Sequence, residues 1–198
     1  MRHPVTRELY SYWNRSRGAR SAPERSDIDP AQIRDALADA FIIEIDRRGV
    51  FPIRLCGARL NALWLTDQKG KSFSDLWDEE DRHRLAVLLL TVVDGTSPVL
   101  AGVEGAAVGA PESVELELLL LPLRHFGNTH SRVLGSLAPT SQPSWLGLAP
   151  AGSLRLRSFR IIRECEASDD PPLIRSGDFH RRAAAPPPEF VVYRGGKT

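Results

Sequence analysis

The sequence predicts an α+β domain: an antiparallel sheet with helices on one face, preceded by an N-terminal helix. Two alternating apolar segments, residues 39–46 and 51–57, come first. A leucine-striped helix follows, and three further strand-like segments come after it. That order needs hairpins and one helical crossing, and an antiparallel sheet covered on one side satisfies both.

The first helix starts near Thr6, a residue able to cap it, with Glu8 in its opening turn and Leu9, Tyr10 and Trp13 on one side. Its apolar stripe is narrow. The trio therefore serves either as a dimer interface or as a surface that packs back on the sheet. Residues 18–30 are small, charged or proline and read as an ordered crossing loop, followed by a short helix through Ile33 and Leu37.

In the first strand Phe41, Ile43 and Ile45 share a face, opposite Glu44 and Asp46. Arg47, Arg48 and Gly49 supply a turn, and Phe51, Ile53 and Leu55 repeat the alternation. Leu60, Leu63 and Trp64 recur at helical spacing. A longer helix follows, capped by Asp78, with Glu79, Glu80 and Asp81 at its positive end and a stripe of Leu85, Leu88, Leu89, Val92 and Val93. Gly95 ends it in a left-handed conformation.

Three strands are expected over residues 97–108, 113–123 and 131–139. In the middle one Val114, Leu116, Leu118 and Leu120 face one way and Glu115 and Glu117 the other. Leu119 and Leu121 then make its far end apolar on both faces, so something must cover it. Residues 153–162 are strand-like, with a change of phase near Ser158. Beyond Cys165 the pattern stops, and the proline- and alanine-rich residues 166–198 read as a disordered tail or docking arm. The resulting division is 1–38 for helix and crossing loop, 39–165 for the domain, and 166–198 for the tail.

The chain has 198 residues, enough for one domain with a sizeable core. Its 26 basic and 25 acidic residues nearly cancel, so no global field holds it on nucleic acid or an anionic membrane. All but three of the basic residues are arginine, a composition that matches codon bias in a GC-rich genome. The basic run Arg15, Arg17, Arg20 and Arg25 beside Tyr10, Tyr12 and Trp13 is therefore weak support for nucleic-acid binding. Cys56 and Cys165 stand alone, which argues against a disulfide framework and a cysteine zinc site and for a reducing cytoplasm. The start lacks a signal-peptide core, and no apolar run is long enough to span a membrane.

The blocks Tyr12-Trp13, Arg17-Gly18, Pro23-Glu-Arg-Ser-Asp-Ile-Asp-Pro30, Arg54-Leu-Cys-Gly57, Gly70-Lys-Ser-Phe73, Asp75-Leu-Trp77 and Trp145-Leu-Gly147 carry a resemblance. Over roughly residues 8–162 the chain resembles the PAS superfamily, more narrowly a group of stand-alone bacterial PAS-like proteins. The resemblance implies a five-stranded antiparallel sheet with helices over one face, homodimers, and signal transfer to partner proteins. PAS-like domains hold a small ligand, haem or flavin between sheet and helices, or nothing.

Haem and flavin are both disfavoured. No Gly-x-Asn-Cys-Arg-Phe-Leu-Gln run is present, and Cys56 lies at a strand end rather than on a helix. His83 falls outside the apolar stripe of its helix, where it cannot face a pocket. His125 and His130 bracket a hairpin turn but lack the third and fourth ligands zinc needs. No nucleophile elbow, phosphate loop or zinc-protease helix appears, so no catalytic residue and no metal site is assigned.

The expected protein is a cytoplasmic sensory or regulatory domain that binds a small ligand, a protein partner, or both, and signals through protein contacts. Periodicity picks Phe41, Ile43, Leu60, Trp64, Leu85, Leu89 and Leu118 as the pocket lining. Trp13, Trp64, Trp77 and Trp145 could form an aromatic cage, but large aromatics serve more often as core. The alternatives are a ligand-free adaptor using the surface of residues 9–25, and an enzyme working in the same cavity.

Overall fold

The computed structural model describes residues 1–45, 50–110, 112–125, 128–162 and 174–175, with 128–130, 174 and 175 as backbone only. The Arg47-Arg48-Gly49 turn, Cys165, the His130 side chain and nearly all of the 166–198 tail lie outside those residues.

In chain order the elements are helix α1 (Pro4–Arg17), strands β1 (Ala40–Glu44) and β2 (Ile53–Cys56), and helices α2 (Ala58–Trp64) and α3 (Glu79–Asp94). Strands β3 (Val99–Ala106), β4 (Ser113–His125), β5 (Asn128–Pro139), β6 (Arg155–Ile161) and β7 (Ile174–Arg175) follow. All strand pairs are antiparallel, and the sheet order is β2-β1-β5-β4-β3-β6-β7. The expected five strands are the contiguous block β2-β1-β5-β4-β3. β6 and the two-residue β7 extend it at the β3 edge. The change of phase near Ser158 is a bulge: Val103 pairs with Leu156 and Gly102 with Ser158, which skips Arg157.

The two faces are covered by different helices. On one, Phe41, Ile43, Val103, Leu116, Leu118, Leu120 and Leu137 meet Leu60 and Leu63 of α2, Leu85, Leu88, Leu89, Val92 and Val93 of α3, and Phe73, Leu76 and Trp77 between them. On the other, Ile42, Leu100, Leu119, Leu121, Leu123 and Leu134 meet Val5, Leu9, Tyr12 and Trp13 of α1. The helices-on-one-face expectation thus describes α2 and α3, while α1 supplies the cover that Leu119 and Leu121 require. Residues 1–38 are consequently part of the domain's packing. Burying each leucine- or phenylalanine-sized side chain contributes about 1.5–3 kcal/mol, so the α1 face is a second core.

Several local expectations are corrected. α1 begins at Pro4, not Thr6. The His3 side chain accepts the Val5 N–H (3.3 Å), and Pro4, with no N–H to satisfy, fits the first turn. Thr6 points inward and is fully buried. The helix expected through Ile33 and Leu37 is a 3-10 turn, Pro30–Ile33. Asp78 makes no side-chain cap on α3, because its carboxylate is taken by Arg155 at 2.5 Å. Gly95 is right-handed (φ −80°), and the positive φ falls on Thr96.

Candidate functional site

The residue blocks that carried the resemblance act as fasteners. The Tyr12 hydroxyl donates to the Asp27 carbonyl (3.0 Å) and accepts the Asp29 N–H (2.7 Å), which pins the crossing loop to α1. Trp13 Nε1 donates to the Pro122 carbonyl (2.8 Å), and the Arg17 guanidinium lies 5.4 Å from its ring centroid. The loop is tied to β4 by the Arg124 N–H donating to Pro23 (2.9 Å) and by the Arg124–Glu24 ion pair (3.1 Å). Gly57 opens α2 in close contact with the preceding chain: a Cβ there would lie 2.2 Å from the Leu37 carbonyl oxygen.

The interior between the sheet and α2/α3 is where the pocket was expected. Phe41, Ile43, Leu60, Leu85, Leu89 and Leu118 converge there and are all 0 % exposed. Trp64 sits at its rim, half-buried, donating from Nε1 to the Gly152 carbonyl (3.3 Å). The centre is filled by rings: Phe41 stacks on Phe73 (centroids 4.9 Å), and Phe73 meets Trp77 edge-on (6.0 Å). Gly135 of β5 makes room for the Phe41 ring, since a Cβ at that position would lie 2.3 Å from Phe41 Cζ. The Trp77 indole N–H is buried and has no acceptor among the described residues. Six of the seven expected lining residues thus belong to the buried cluster, and Trp64 packs against it.

Of the expected interface trio, Leu9 and Trp13 are 0 % and 2 % exposed inside the chain's own second core, which leaves Tyr10 as its half-buried surface member. Tyr10 stacks on Trp13 with centroids 6.1 Å apart. His83 stands on the exposed side of α3. Among the described residues no group of three or more His, Cys, Asp or Glu side chains is placed to hold a metal ion.

Among the described residues burial raises two ionisable groups above their ordinary values. The Asp39 side chain, just before β1, pairs with Arg59 of α2, yet burial pushes its carboxyl above the usual carboxylate range against the pull of that cation. Burial, reinforced by the negative charge of Asp67, pushes the Cys56 thiol up to about 12. A thiol so rarely ionised is a poor nucleophile.

An open cavity lies on the opposite face of the sheet, which periodicity could not reveal. It is a cleft of about 330 Å³ beside the start of α1, floored by Gly102 of β3 and flanked by Glu115 and Glu117 of β4 and by Ser158 and Arg160 of β6. Glu117 accepts the backbone N–H groups of Arg2 (2.8 Å) and His3 (3.0 Å), holding α1 at this end.

Comparison with known families places these features. The PAS domain family matches residues 1–138, a span that takes in α1 and ends within β5, and the chain belongs to that family. Membership suggests a sensory or regulatory signalling role, since PAS domains are typically non-catalytic sensory modules that commonly mediate protein interactions and dimerisation. A search of curated proteins finds no match. No helix among the described residues is long and apolar enough to cross a membrane.

Proposed function

We propose that the protein is a cytoplasmic regulatory PAS domain that signals through protein contacts, self-association included, and whose helix-side interior serves as packed core. The observation that supports this is the Phe41 ring. It occupies the volume above Gly135 and stacks on Phe73 at 4.9 Å, in the space between sheet and helices that a ligand would need. A ligand chamber takes about 300 Å³ or more, and the stacked rings of Phe41 and Phe73 take up the centre of that space.

The contact surface is the outer side of α1, where Tyr10 is half-buried and stacks on Trp13, whose ring also carries the Arg17 guanidinium. Tyrosine supplies large contact area at low entropic cost, as interface anchors do. Sedimentation equilibrium tests this. The protein is expected to dimerise, and Tyr10→Arg to weaken the dimer by about tenfold or more while the far-ultraviolet circular dichroism is unchanged. A wild-type protein that stays monomeric at about 100 µM, or a Tyr10→Arg dimer of unaltered affinity, overturns the assignment of this surface.

A further inference from the structure

We propose that the cleft on the α1 side of the sheet binds a small zwitterion of amino-acid size, its ammonium toward β4 and its carboxylate toward β6. This site is separate from the packed interior and does not depend on the reading given for it.

The strand order sets the chemistry. β4, β3 and β6 are neighbours, so residues facing outward from β4 and β6 stand across β3, two strand spacings or roughly 10 Å apart. Gly102 lies between them on β3 and contributes no side chain, which makes a trough with walls. The β4 wall is acidic, with Glu115 exposed and Glu117 8 % exposed. The β6 wall carries the guanidinium groups of Arg160 and of Arg157, the latter paired with Glu104, and the Ser158 hydroxyl, and Arg2 lines the end beside α1. Opposite charges therefore face each other across an uncharged floor beside the apolar Leu100, matching a molecule with both charges and a short apolar body.

Two further observations mark the trough as a built site. Ser158 is 8 % exposed, yet its hydroxyl makes no hydrogen bond among the described residues, so a donor and acceptor is held ready at the base. Gly102 keeps that hydroxyl reachable: a Cβ there would lie 2.9 Å from Ser158 Oγ. The volume of about 330 Å³ falls in the range of small-molecule sites. Glu117 also holds the first N–H groups of α1, and a carboxylate has lone pairs for further donors, so an ammonium bound there touches the anchor of that helix.

The test is isothermal titration of the full chain with L-leucine, with isopentylamine as its cation-only analogue and 4-methylpentanoate as its anion-only analogue. Leucine is expected to bind, with each analogue weaker by about tenfold or more. Gly102→Val fills the trough and is expected to abolish the heat of binding. Should Gly102→Val fail to fold, Glu115→Gln decides, because that side chain is exposed; it is expected to weaken leucine while leaving 4-methylpentanoate unchanged. No binding of leucine at about 10 mM, analogues as tight as leucine, or unaltered binding in Glu115→Gln overturns the proposal.

Discussion

The Phe41 ring and the bare backbone of Gly135 share one volume: a Cβ on Gly135 would lie 2.3 Å from Phe41 Cζ and 2.7 Å from the Leu119 carbonyl oxygen. Gly135→Ala must displace the ring and strain the strand. It is expected to destabilise the protein by about 1–3 kcal/mol, read as a lower urea midpoint. Phe41→Leu in the same chain recovers part of that loss, because only the ring side of the clash is relieved. Equal midpoints for wild type and Gly135→Ala would show that the ring has space to leave, and with it that the interior is loose.

Trp13 ties α1 to β4 through its bond to the Pro122 carbonyl and its burial against the outer face. Trp13→Ala is expected to cost about 3–5 kcal/mol, and Trp13→Phe, which keeps most of the apolar volume but orphans that carbonyl, about 1–3 kcal/mol. Denaturant titration measures both. If α1 were a loosely attached appendage, both substitutions would leave the midpoint of the sheet unmoved.

Asp39 gives the protein a distinctive pH dependence. Burial holds its carboxyl above the ordinary value of 3.8 in the folded state, while Arg59 and His3 pull the other way. The folded protein binds that proton more tightly than the unfolded chain. Its stabilising contribution is therefore complete below 3.8 and is lost as pH rises through the raised value. Asp39→Asn removes this dependence, so the variant is expected to gain on wild type in thermal midpoint from about pH 4 toward neutrality. A wild-type protein that gains on the variant over that range would show the ion pair with Arg59 to outweigh burial.

The Cys56 thiol is expected to be nearly inert. In a Cys165→Ser chain, alkylation by iodoacetamide near pH 8 should be slower in native than in urea-unfolded protein by on the order of a hundredfold or more, because burial keeps the thiol protonated. Comparable rates would mean that water reaches the end of β2.

Much of this fold was legible in the chain, and the reason lies in periodicity. The alternation of Phe41 and Ile43 with Ile42 gave β1 its two faces, and the doubly apolar end at Leu119 and Leu121 demanded a cover that α1 provides. The register break at Ser158 surfaced as a bulge. Periodicity reports which face is buried, not whether space remains there; six of the seven lining candidates are buried in the helix-side cluster and Trp64 packs against it. The cleft escaped notice because Gly102, Glu115, Glu117, Ser158 and Arg160 are brought together by strand order alone, and a glycine floor leaves no hydrophobic signal. The cap of α1 was misplaced for a similar reason: His3 and the distant Glu117 hold its start, while Thr6, the better capping residue by type, is turned into the core.

The most direct test of the packed interior is the native mass of freshly purified Gly102→Val protein, in which the outer cleft is filled. The account predicts the mass of the bare polypeptide or an integer multiple of it, with no absorbance beyond that of the aromatic residues. A small molecule that stays bound in this variant would put a ligand between the sheet and α2/α3, where Phe41 and Phe73 now stack, and would contradict the account.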